Sequence, residues 1–275
     1  TALLLDPHFA IPYSMNILNP KKGLVVTLED SIFLDTDGGR ISQNIDNWSV
    51  SKIKRMGADA VKVLAWYRPD ADKKVLEAQQ QYVQKIGDEC AKHDILFLFE
   101  LLVYPLSKDL YQTKEYVEMQ NKKTDHVLES VREFSNKKYG VDVFKLESPV
   151  NVNNITDSDL NAFKEMGNIA GRPWVMLSAG AGKEEFKKVL KLAFKAGCSG
   201  FLAGRAIWLD AFMHYPNWDK IQNQLESNAK DYLGEIGEMA DKSALSWNNH
   251  VCYGKDGSDF PYDNQEFRLH YNEIE

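Results

Sequence analysis

Two lysines and two glutamates interrupt apolar runs that otherwise look like buried strands. Lys62 lies inside AVKVLAWY and Glu100 ends LFLFE. The run VFKLES carries both Lys145 and Glu147, two residues apart and therefore on the same face of a strand. An isolated buried lysine or glutamate is costly unless it is paired or changes its protonation state. Charges that converge from neighbouring strands offset one another, so these residues are predicted to meet.

A lysine in such a cluster has a specific chemistry available. In a desolvated pocket beside a second cation its pKa falls, and the neutral amine can attack a ketone or aldehyde to form a Schiff base. A Schiff base is an electron sink for carbon–carbon bond cleavage, and a nearby carboxylate can shuttle the protons. The alternatives are a buried ion-pair network or a solvent-facing lysine. The position of the charges on three consecutive strands favours the functional interpretation.

Two turns of small residues follow the last two apolar runs, SAG after WVML and AGRA after GFL. Small residues let backbone N–H groups approach an anion, and Arg205 could bind it with two hydrogen bonds. The loops after the final two strands of an α/β barrel commonly bind phosphate. A plain tight turn would explain either one alone. Together they favour a phosphate or sulfonate site at Ser178, Gly180, Gly204 and Arg205.

Seven short apolar runs position these residues, and amphipathic stretches separate them. Their nearly continuous apolar composition predicts parallel strands covered on both faces. The predicted strands are Ala2–Asp6, Leu24–Glu29, Ala60–Tyr67, Leu96–Tyr104, Val143–Ser148, Trp174–Gly180 and Gly200–Gly204. The predicted helices run from about Asp72 to His93, Thr113 to Lys138, Asp157 to Ala170 and Lys183 to Ala196.

Repeated βα units predict an α/β protein with a parallel sheet, either doubly wound or closed into a barrel. The 275 residues suit a single (β/α)8 TIM barrel, which typically needs roughly 250. Seven strands are one fewer than eight, so the first βα unit is expected to be missing from this chain. The barrel domain is predicted to span residues 1–247. Residues 248–275 are aromatic, polar and rich in turn residues, which predicts an irregular extension that could contact a second copy in a homo-oligomer.

Six motifs resemble, in order and approximate spacing, those of the tagatose-1,6-bisphosphate aldolase family of class I aldolases. They are TALLLDPHFAIP, GADAVKVLAWYRPDAD, IGDECAKHDILFLFELLVY, GVDVFKLESPVN, LSAGAGKEEFKKVLKLAFKAG and SGFLAGRAIW. The near relatives of that family include the sulfofructose-1-phosphate aldolases. The resemblance covers most of the chain up to about Trp247, and it implies a (β/α)8 barrel.

The resemblance also implies roles for individual residues. Lys145 would be the Schiff-base lysine on the sixth barrel strand, Glu100 the general acid/base on the fifth, and Lys62 their charged neighbour on the fourth. The same resemblance points to the turns at Ser178–Gly180 and Gly204–Arg205 for phosphate. Asp6, at the end of the first visible strand, is a further candidate pocket residue.

The implied reaction is cleavage of a ketose phosphate, such as tagatose or fructose 1,6-bisphosphate, to dihydroxyacetone phosphate and a three-carbon aldehyde. Sulfofructose 1-phosphate, which would give sulfolactaldehyde, is an alternative substrate. Arg68 could bind the distal anionic group, or it could be a solvated loop arginine. Family members carry an acidic motif and Gln-Arg-Gly upstream of the LLLD run, and this segment is not in the chain. A sugar-phosphate-binding regulator that has lost catalysis is therefore the alternative from another class.

Composition argues against several other classes of protein. The net charge of -7 disfavours nucleic acid as the main partner, and no apolar run approaches the ~18 residues of a membrane span. The three widely spaced cysteines are typical of reduced thiols in the cytoplasm. The six histidines show no close spacing of zinc ligands, which disfavours a metal-dependent class II aldolase. Neither a metal nor a cofactor is expected.

Overall fold

The computed structural model describes residues 1–106, 109 and 124–254. Its main sheet has seven parallel strands in the order β1-β2-β5-β6-β7-β8-β9, so that strands that follow one another along the chain are neighbours. They are β1 (Ala2–Leu5), β2 (Gly23–Thr27), β5 (Ala60–Trp66), β6 (Leu96–Leu102), β7 (Val143–Leu146), β8 (Trp174–Leu177) and β9 (Gly200–Leu202). This is a nearly closed barrel, which confirms the predicted α/β class and its seven parallel strands. Among the described residues β9 and β1 form the two edges and do not pair with each other.

Helices follow most of the strands, as in a βα barrel. They are α1 (Ile11–Ser14), α2 (Val50–Arg55), α3 (Lys73–Lys92), α4 (Thr124–Phe134), α5 (Leu160–Ala170), α6 (Lys183–Lys195), α7 (Arg205–Phe212), α8 (Trp218–Gln224) and α9 (Lys230–Ser243). Of these helices, α1, α2 and α7 to α9 are not among those predicted from the sequence.

Within the described residues, the helix predicted over 113–138 is present as α4 and ends earlier than predicted. Residues 113–123 lie outside the described part of the chain, and α4 ends at Phe134 rather than at Lys138. The side chain of Asn136 accepts a hydrogen bond from the backbone N–H of Lys138 at 3.1 Å and starts a separate 3-10 turn over Lys137–Tyr139. Asparagine competes for backbone donors in this way, which is why it favours caps over helix interiors.

The sheet is buried on both faces, as its apolar strands predict. On β5, alternate side chains (Val61, Val63 and Ala65) pack in the layer between the sheet and the helices. Leu64 and Trp66 point the other way and form a smaller apolar cluster inside the barrel with residues of β6 and β8. Lys62 shares the inward face with these two residues, which places its charge inside the barrel.

A short hairpin covers the carboxyl ends of the central strands. It consists of β3 (Leu34–Thr36) and β4 (Gly39–Ile41), paired antiparallel. The Arg40 guanidinium carbon lies 4.7 Å from the ring centroid of Trp66 and 5.1 Å from that of Tyr104. Gly39 has φ +139°, and a Cβ there would overlap the hydroxyl oxygen of Tyr104. The hairpin can therefore close onto the barrel mouth only with glycine at position 39.

The end of the described chain is irregular. Two 3-10 turns, Trp247–Asn249 and Val251–Tyr253, follow α9. The rest of the predicted extension, residues 255–275, lies outside the described residues. No helix in the described part of the chain combines the length and the apolar composition that crossing a bilayer requires.

Candidate active site

Strand register brings the predicted lysines and glutamate together inside the barrel. Glu100 on β6 pairs in register with Lys145 on β7 and with Leu64 on β5, so all three lie at one level. Lys62 starts one inward position lower and reaches up to that level. The Lys145 Nζ atom lies 2.8 Å from Glu100 Oε1, and the Lys62 Nζ atom lies 2.6 Å from Glu100 Oε2. One carboxylate therefore bridges two buried lysines.

Glu29 is a fourth member of this group and is not among the site residues predicted from the sequence. It lies two residues beyond the end of β2 and is 5% exposed, and one of its oxygens is in ion-pair contact with Lys62 Nζ. The available signal was its position at the end of the apolar run LVVTLE, which matches the position of Glu100 in LFLFE. Glu29, Lys62, Glu100 and Lys145 are called the Lys–Glu cluster below. All four are at most 8% exposed, so their charges interact with little screening by solvent.

Burial and neighbouring charges shift the pKa values within the Lys–Glu cluster. Burial raises the pKa of Glu100, but the positive charges of Lys145 and Lys62 outweigh it and hold that pKa at about 2. Burial lowers the pKa of Lys145, and it prevails over the opposing attraction of Glu100. Burial also raises the pKa of Glu29, by more than Lys62 lowers it. The result is an ionised Glu100 beside a lysine that gives up its proton more readily than a solvated one.

Glu147, two residues after Lys145, contacts the backbone that follows β6. Its side chain is 1% exposed, and its Oε1 accepts a hydrogen bond of 2.7 Å from the backbone N–H of Val103. This bond fastens the chain just beyond β6 to the chain just beyond β7. Glu147 therefore helps to fix the spacing of the two strands that carry Glu100 and Lys145.

The predicted anion-binding turns lie after β8 and β9, at the carboxyl end of the barrel. The backbone N–H of Ala181 donates to the Ser178 carbonyl oxygen at 2.8 Å, and the two residues between them, Ala179 and Gly180, have φ of +48° and +71°. Positive φ at both central positions is the pattern of a type I′ turn. The second turn ends at Gly204, which caps the N-terminus of α7, and Arg205 is the first residue of that helix. Two helix N-termini, those of α6 and α7, thus follow these turns, and helix N-termini favour anions.

Asp6 and Arg68, the two other predicted site residues, form hydrogen bonds with groups outside the Lys–Glu cluster. Asp6 caps its own turn, where its Oδ1 accepts hydrogen bonds from the backbone N–H groups of His8 at 2.9 Å and Phe9 at 2.7 Å. Arg68 is 3% exposed, and its Nε donates to Asp70 Oδ1 at 2.7 Å. Its Nη1 donates to the Tyr104 carbonyl oxygen at 3.1 Å and also contacts Asp109. Arg68 is therefore not a solvated loop arginine, and two carboxylates already occupy its guanidinium group.

The described residues contain no group of three or more histidines, cysteines, aspartates or glutamates arranged to hold a metal ion. The charged centre that they do contain is the Lys–Glu cluster. Its parts are a bridging carboxylate, two amines and a second buried carboxyl.

Comparisons with known proteins show the family to which the chain belongs. A sequence model of the DeoC/LacD family aldolases matches residues 1–210. Tagatose 1,6-diphosphate aldolase 1 of Enterococcus faecalis is 32% identical over 260 residues, which cover 90% of this chain and 79% of the relative. Tagatose 1,6-diphosphate aldolase 1 of Streptococcus mutans is 29% identical over 262 residues, with the same coverage of 90% and 79%.

A solved structure gives an independent comparison of the fold. It is an archaeal fructose-1,6-bisphosphate aldolase whose catalytic lysine is covalently bound to the carbinolamine intermediate of the substrate. Its TM-score is 0.59 at 17% identity, and the match covers 86% of this chain and 77% of that one. At this identity the likeness concerns the fold, which is that of the TIM-barrel aldolases.

Proposed function

We propose that this chain, which belongs to the DeoC/LacD family of aldolases and is therefore a carbon–carbon lyase, cleaves a ketose bisphosphate through a Schiff base on Lys145. The observation that carries this proposal is the position of Glu100 between the two lysines, 2.8 Å from Lys145 Nζ and 2.6 Å from Lys62 Nζ. Glu100 stays ionised and can accept a proton from Lys145. Lys62 supplies the second positive charge that favours the neutral amine of Lys145.

The proposed reaction assigns a step to each of these positions. The neutral amine of Lys145 attacks the ketone carbon of the substrate, and a proton is delivered to the departing water as the carbinolamine becomes an iminium ion. The iminium withdraws the electrons of the adjacent carbon–carbon bond once the hydroxyl beyond that bond loses its proton. The aldehyde leaves, the remaining enamine is protonated on carbon, and water releases the ketone product and Lys145. Glu100 is the proposed proton carrier because it is in direct contact with Lys145 Nζ.

The proposed substrate is tagatose 1,6-bisphosphate, and the products are dihydroxyacetone phosphate and glyceraldehyde 3-phosphate. Two of the relatives act on tagatose 1,6-diphosphate by their names. The turns at Ser178–Gly180 and Gly204–Arg205 are the proposed site for one phosphate, since each is followed by a helix N-terminus. Arg68 is left out of this site because Asp70 and Asp109 already engage its guanidinium.

Borohydride trapping tests the covalent step. Full-length protein incubated with dihydroxyacetone phosphate and sodium borohydride should gain the mass of the reduced adduct on the peptide that contains Lys145. Lys145→Met, whose unbranched side chain is one atom shorter and has no amine, should form no adduct and show no turnover while retaining its near-ultraviolet circular dichroism. An adduct on another lysine, or substantial turnover by Lys145→Met, would refute the Schiff-base assignment.

A comparison of turnover tests the substrate. Tagatose 1,6-bisphosphate, fructose 1,6-bisphosphate and sulfofructose 1-phosphate should be compared by kcat/KM on the same full-length preparation. The proposal expects the highest value for tagatose 1,6-bisphosphate. A higher value for sulfofructose 1-phosphate would identify sulfolactaldehyde as the aldehyde product. Binding of all three without cleavage would indicate a regulator in place of an enzyme.

A further inference from the structure

Glu29 is part of the Lys–Glu cluster, but the Schiff-base chemistry proposed above does not use it. Its Oε1 contacts Lys62 Nζ, while its Oε2 is buried and accepts no hydrogen bond from the described residues. A buried, ionised carboxylate oxygen without a donor is unfavourable, whereas a protonated carboxyl carries no charge. The surroundings of Glu29 therefore suit a carboxyl group that holds a proton for part of the reaction.

The net charge of the Lys–Glu cluster explains why a proton on Glu29 would help the reaction. With both lysines protonated and both carboxyls ionised, the four groups sum to zero. Lys145 must become neutral before it can attack a ketone, and loss of its proton to solvent would leave a net negative charge in a buried site. Transfer of the proton to Glu29 keeps the cluster neutral, which avoids the cost of an uncompensated buried charge.

Glu29 is the carboxyl suited to receive this proton. Burial raises its pKa, while the two lysines hold the pKa of Glu100 at about 2 despite burial. The titratable groups that face Glu29 are Lys62 on β5, Glu100 on β6, and the more distant Lys145 on β7 and Tyr82 on α3. Burial raises the pKa of Tyr82 well above its ordinary value, so its hydroxyl keeps its proton and adds no charge.

We propose that Glu29 stores the proton that Lys145 gives up before it attacks the substrate, and returns it when the carbinolamine loses water. Ion-pair contacts lead from Lys145 Nζ to Glu100 Oε1 at 2.8 Å, from Glu100 Oε2 to Lys62 Nζ at 2.6 Å, and from Lys62 Nζ to Glu29. Lys62 first donates a proton to Glu29 and so gains a lone pair. Glu100 takes a proton from Lys145, its carboxyl group turns, and it passes that proton to Lys62. At the end Lys62 is again an ammonium, Glu100 is again ionised, Glu29 is protonated and Lys145 is a free amine.

The return step balances without any other reactant. Amine, ketone and one proton give an iminium ion and water, and the proton comes back from Glu29 along the same path. The iminium charge then replaces the ammonium charge of Lys145, and the cluster is neutral again. Glu29 acts through Lys62 and Glu100 and is therefore a positioning residue for the proton of Lys145. This inference rests on the proposed function, because it requires a Schiff base at Lys145.

Infrared difference spectroscopy on the full-length protein tests the inference. The free protein should show the carbonyl stretch of a protonated carboxylic acid, and this band should disappear when dihydroxyacetone phosphate forms the Schiff base. Glu29→Gln should lack the band. Glu133→Gln, which removes a glutamate on α4 outside the barrel, should retain it. A band that persists in Glu29→Gln, or that survives Schiff-base formation in the unmodified protein, overturns the inference.

Proton uptake gives a second readout. In weakly buffered solution, Schiff-base formation should take up no net proton in the unmodified protein and about one proton per site in Glu29→Gln, whose amine has no internal proton store. Equal uptake by the two proteins overturns the inference. Borohydride trapping on the same samples distinguishes failure of the proposed role of Glu29 from failure of the proposed Schiff base on Lys145. An adduct on Lys145 with an unchanged infrared band rejects the role of Glu29 alone, whereas no adduct rejects the proposed function and this inference with it.

Discussion

Lys145 and Glu100 lie opposite each other on adjacent parallel strands, and Lys145 Nζ is 2.8 Å from Glu100 Oε1. Backbone hydrogen bonds of the sheet fix this pairing, so the distance between amine and carboxylate does not depend on a loop. Sites on strands hold their side chains more precisely than sites on loops do. The contact between Lys145 and Glu100 is therefore preorganised by the sheet.

Substitution of Glu100 by glutamine should lower kcat by roughly 10²- to 10⁴-fold, the usual contribution of one general acid–base group. Glutamine preserves the shape of the side chain but neither accepts nor returns a proton. Single-turnover cleavage of tagatose 1,6-bisphosphate measures the effect, with Glu133→Gln on α4, outside the barrel, as the control. A Glu100→Gln variant with unchanged kcat would show that another group carries the proton.

The depressed pKa of Glu100 also predicts a change of stability in acid. A carboxyl whose pKa in the folded state is about 2, against an ordinary 4.5, binds its proton more weakly folded than unfolded. Its contribution to the free energy of unfolding is complete above about pH 4.5 and is lost as the pH falls towards 2. The full contribution is about 3 kcal/mol, since one pKa unit corresponds to about 1.4 kcal/mol.

Urea unfolding of the unmodified protein and of Glu100→Gln at a series of pH values measures this contribution. The difference between their free energies of unfolding should narrow as the pH falls from 5 to 2. Glu29 has the opposite sign, because its raised pKa gives stability below its ordinary 4.5 that is lost as the pH rises through the raised value. A difference between the two proteins that stays constant with pH would mean that Glu100 is not held ionised by the lysines.

Much of the barrel and part of its centre could be predicted from the sequence. Charged residues inside apolar strands stand out against a two-sided burial pattern, and this pattern predicts Lys62, Glu100 and Lys145 as site residues. Glu29 carries the same signal at the end of its run, but an acidic residue at a strand end also fits a solvated loop. Only the contact with Lys62, 33 residues away, distinguishes a buried site residue from a solvated loop residue at this position.

The contacts of Arg68 and the position of the hairpin depend on features that the sequence pattern does not show. Arg68 follows an apolar strand and looks like an anion ligand, and the carboxylates that occupy it come from Asp70, two residues on, and Asp109, 41 residues on. The hairpin of β3 and β4 has strands of three residues each, too short for a periodic pattern. Its position depends on a tertiary contact between Gly39 and Tyr104.

The proposed phosphate site predicts a specific loss of affinity on substitution of Arg205. Arg205→Met should lower kcat/KM by roughly 10- to 100-fold, the equivalent of one hydrogen bond to a charged group, mainly through a higher KM. Arg55→Met is the matched control, since Arg55 is an exposed arginine at the C-terminus of α2. Inorganic phosphate should inhibit the unmodified protein competitively and inhibit Arg205→Met less. Equal inhibition of both proteins would place the phosphate elsewhere.

Substitution of two helical glycines by alanine is predicted to change the free energy of unfolding in opposite directions. A Cβ at Gly87 on α3 would overlap the carbonyl oxygen of Tyr139, and backbone cannot move aside as a flexible side chain can. Gly87→Ala should therefore lower the free energy of unfolding by about 1–3 kcal/mol, as overpacking does. Gly234 on α9 has no atom within 4 Å of its would-be Cβ.

Gly234→Ala should raise the free energy of unfolding by about 0.5–1 kcal/mol, because alanine loses less backbone entropy than glycine in a helix interior. Urea titration of both variants beside the unmodified protein measures the pair under identical conditions. Because α3 and the 3-10 turn at Lys137–Tyr139 flank β6 and β7, Gly87→Ala should also weaken borohydride trapping at Lys145, and Gly234→Ala should leave it unchanged. Stabilisation by both alanines would show that α3 does not approach the Tyr139 carbonyl closely enough to require glycine.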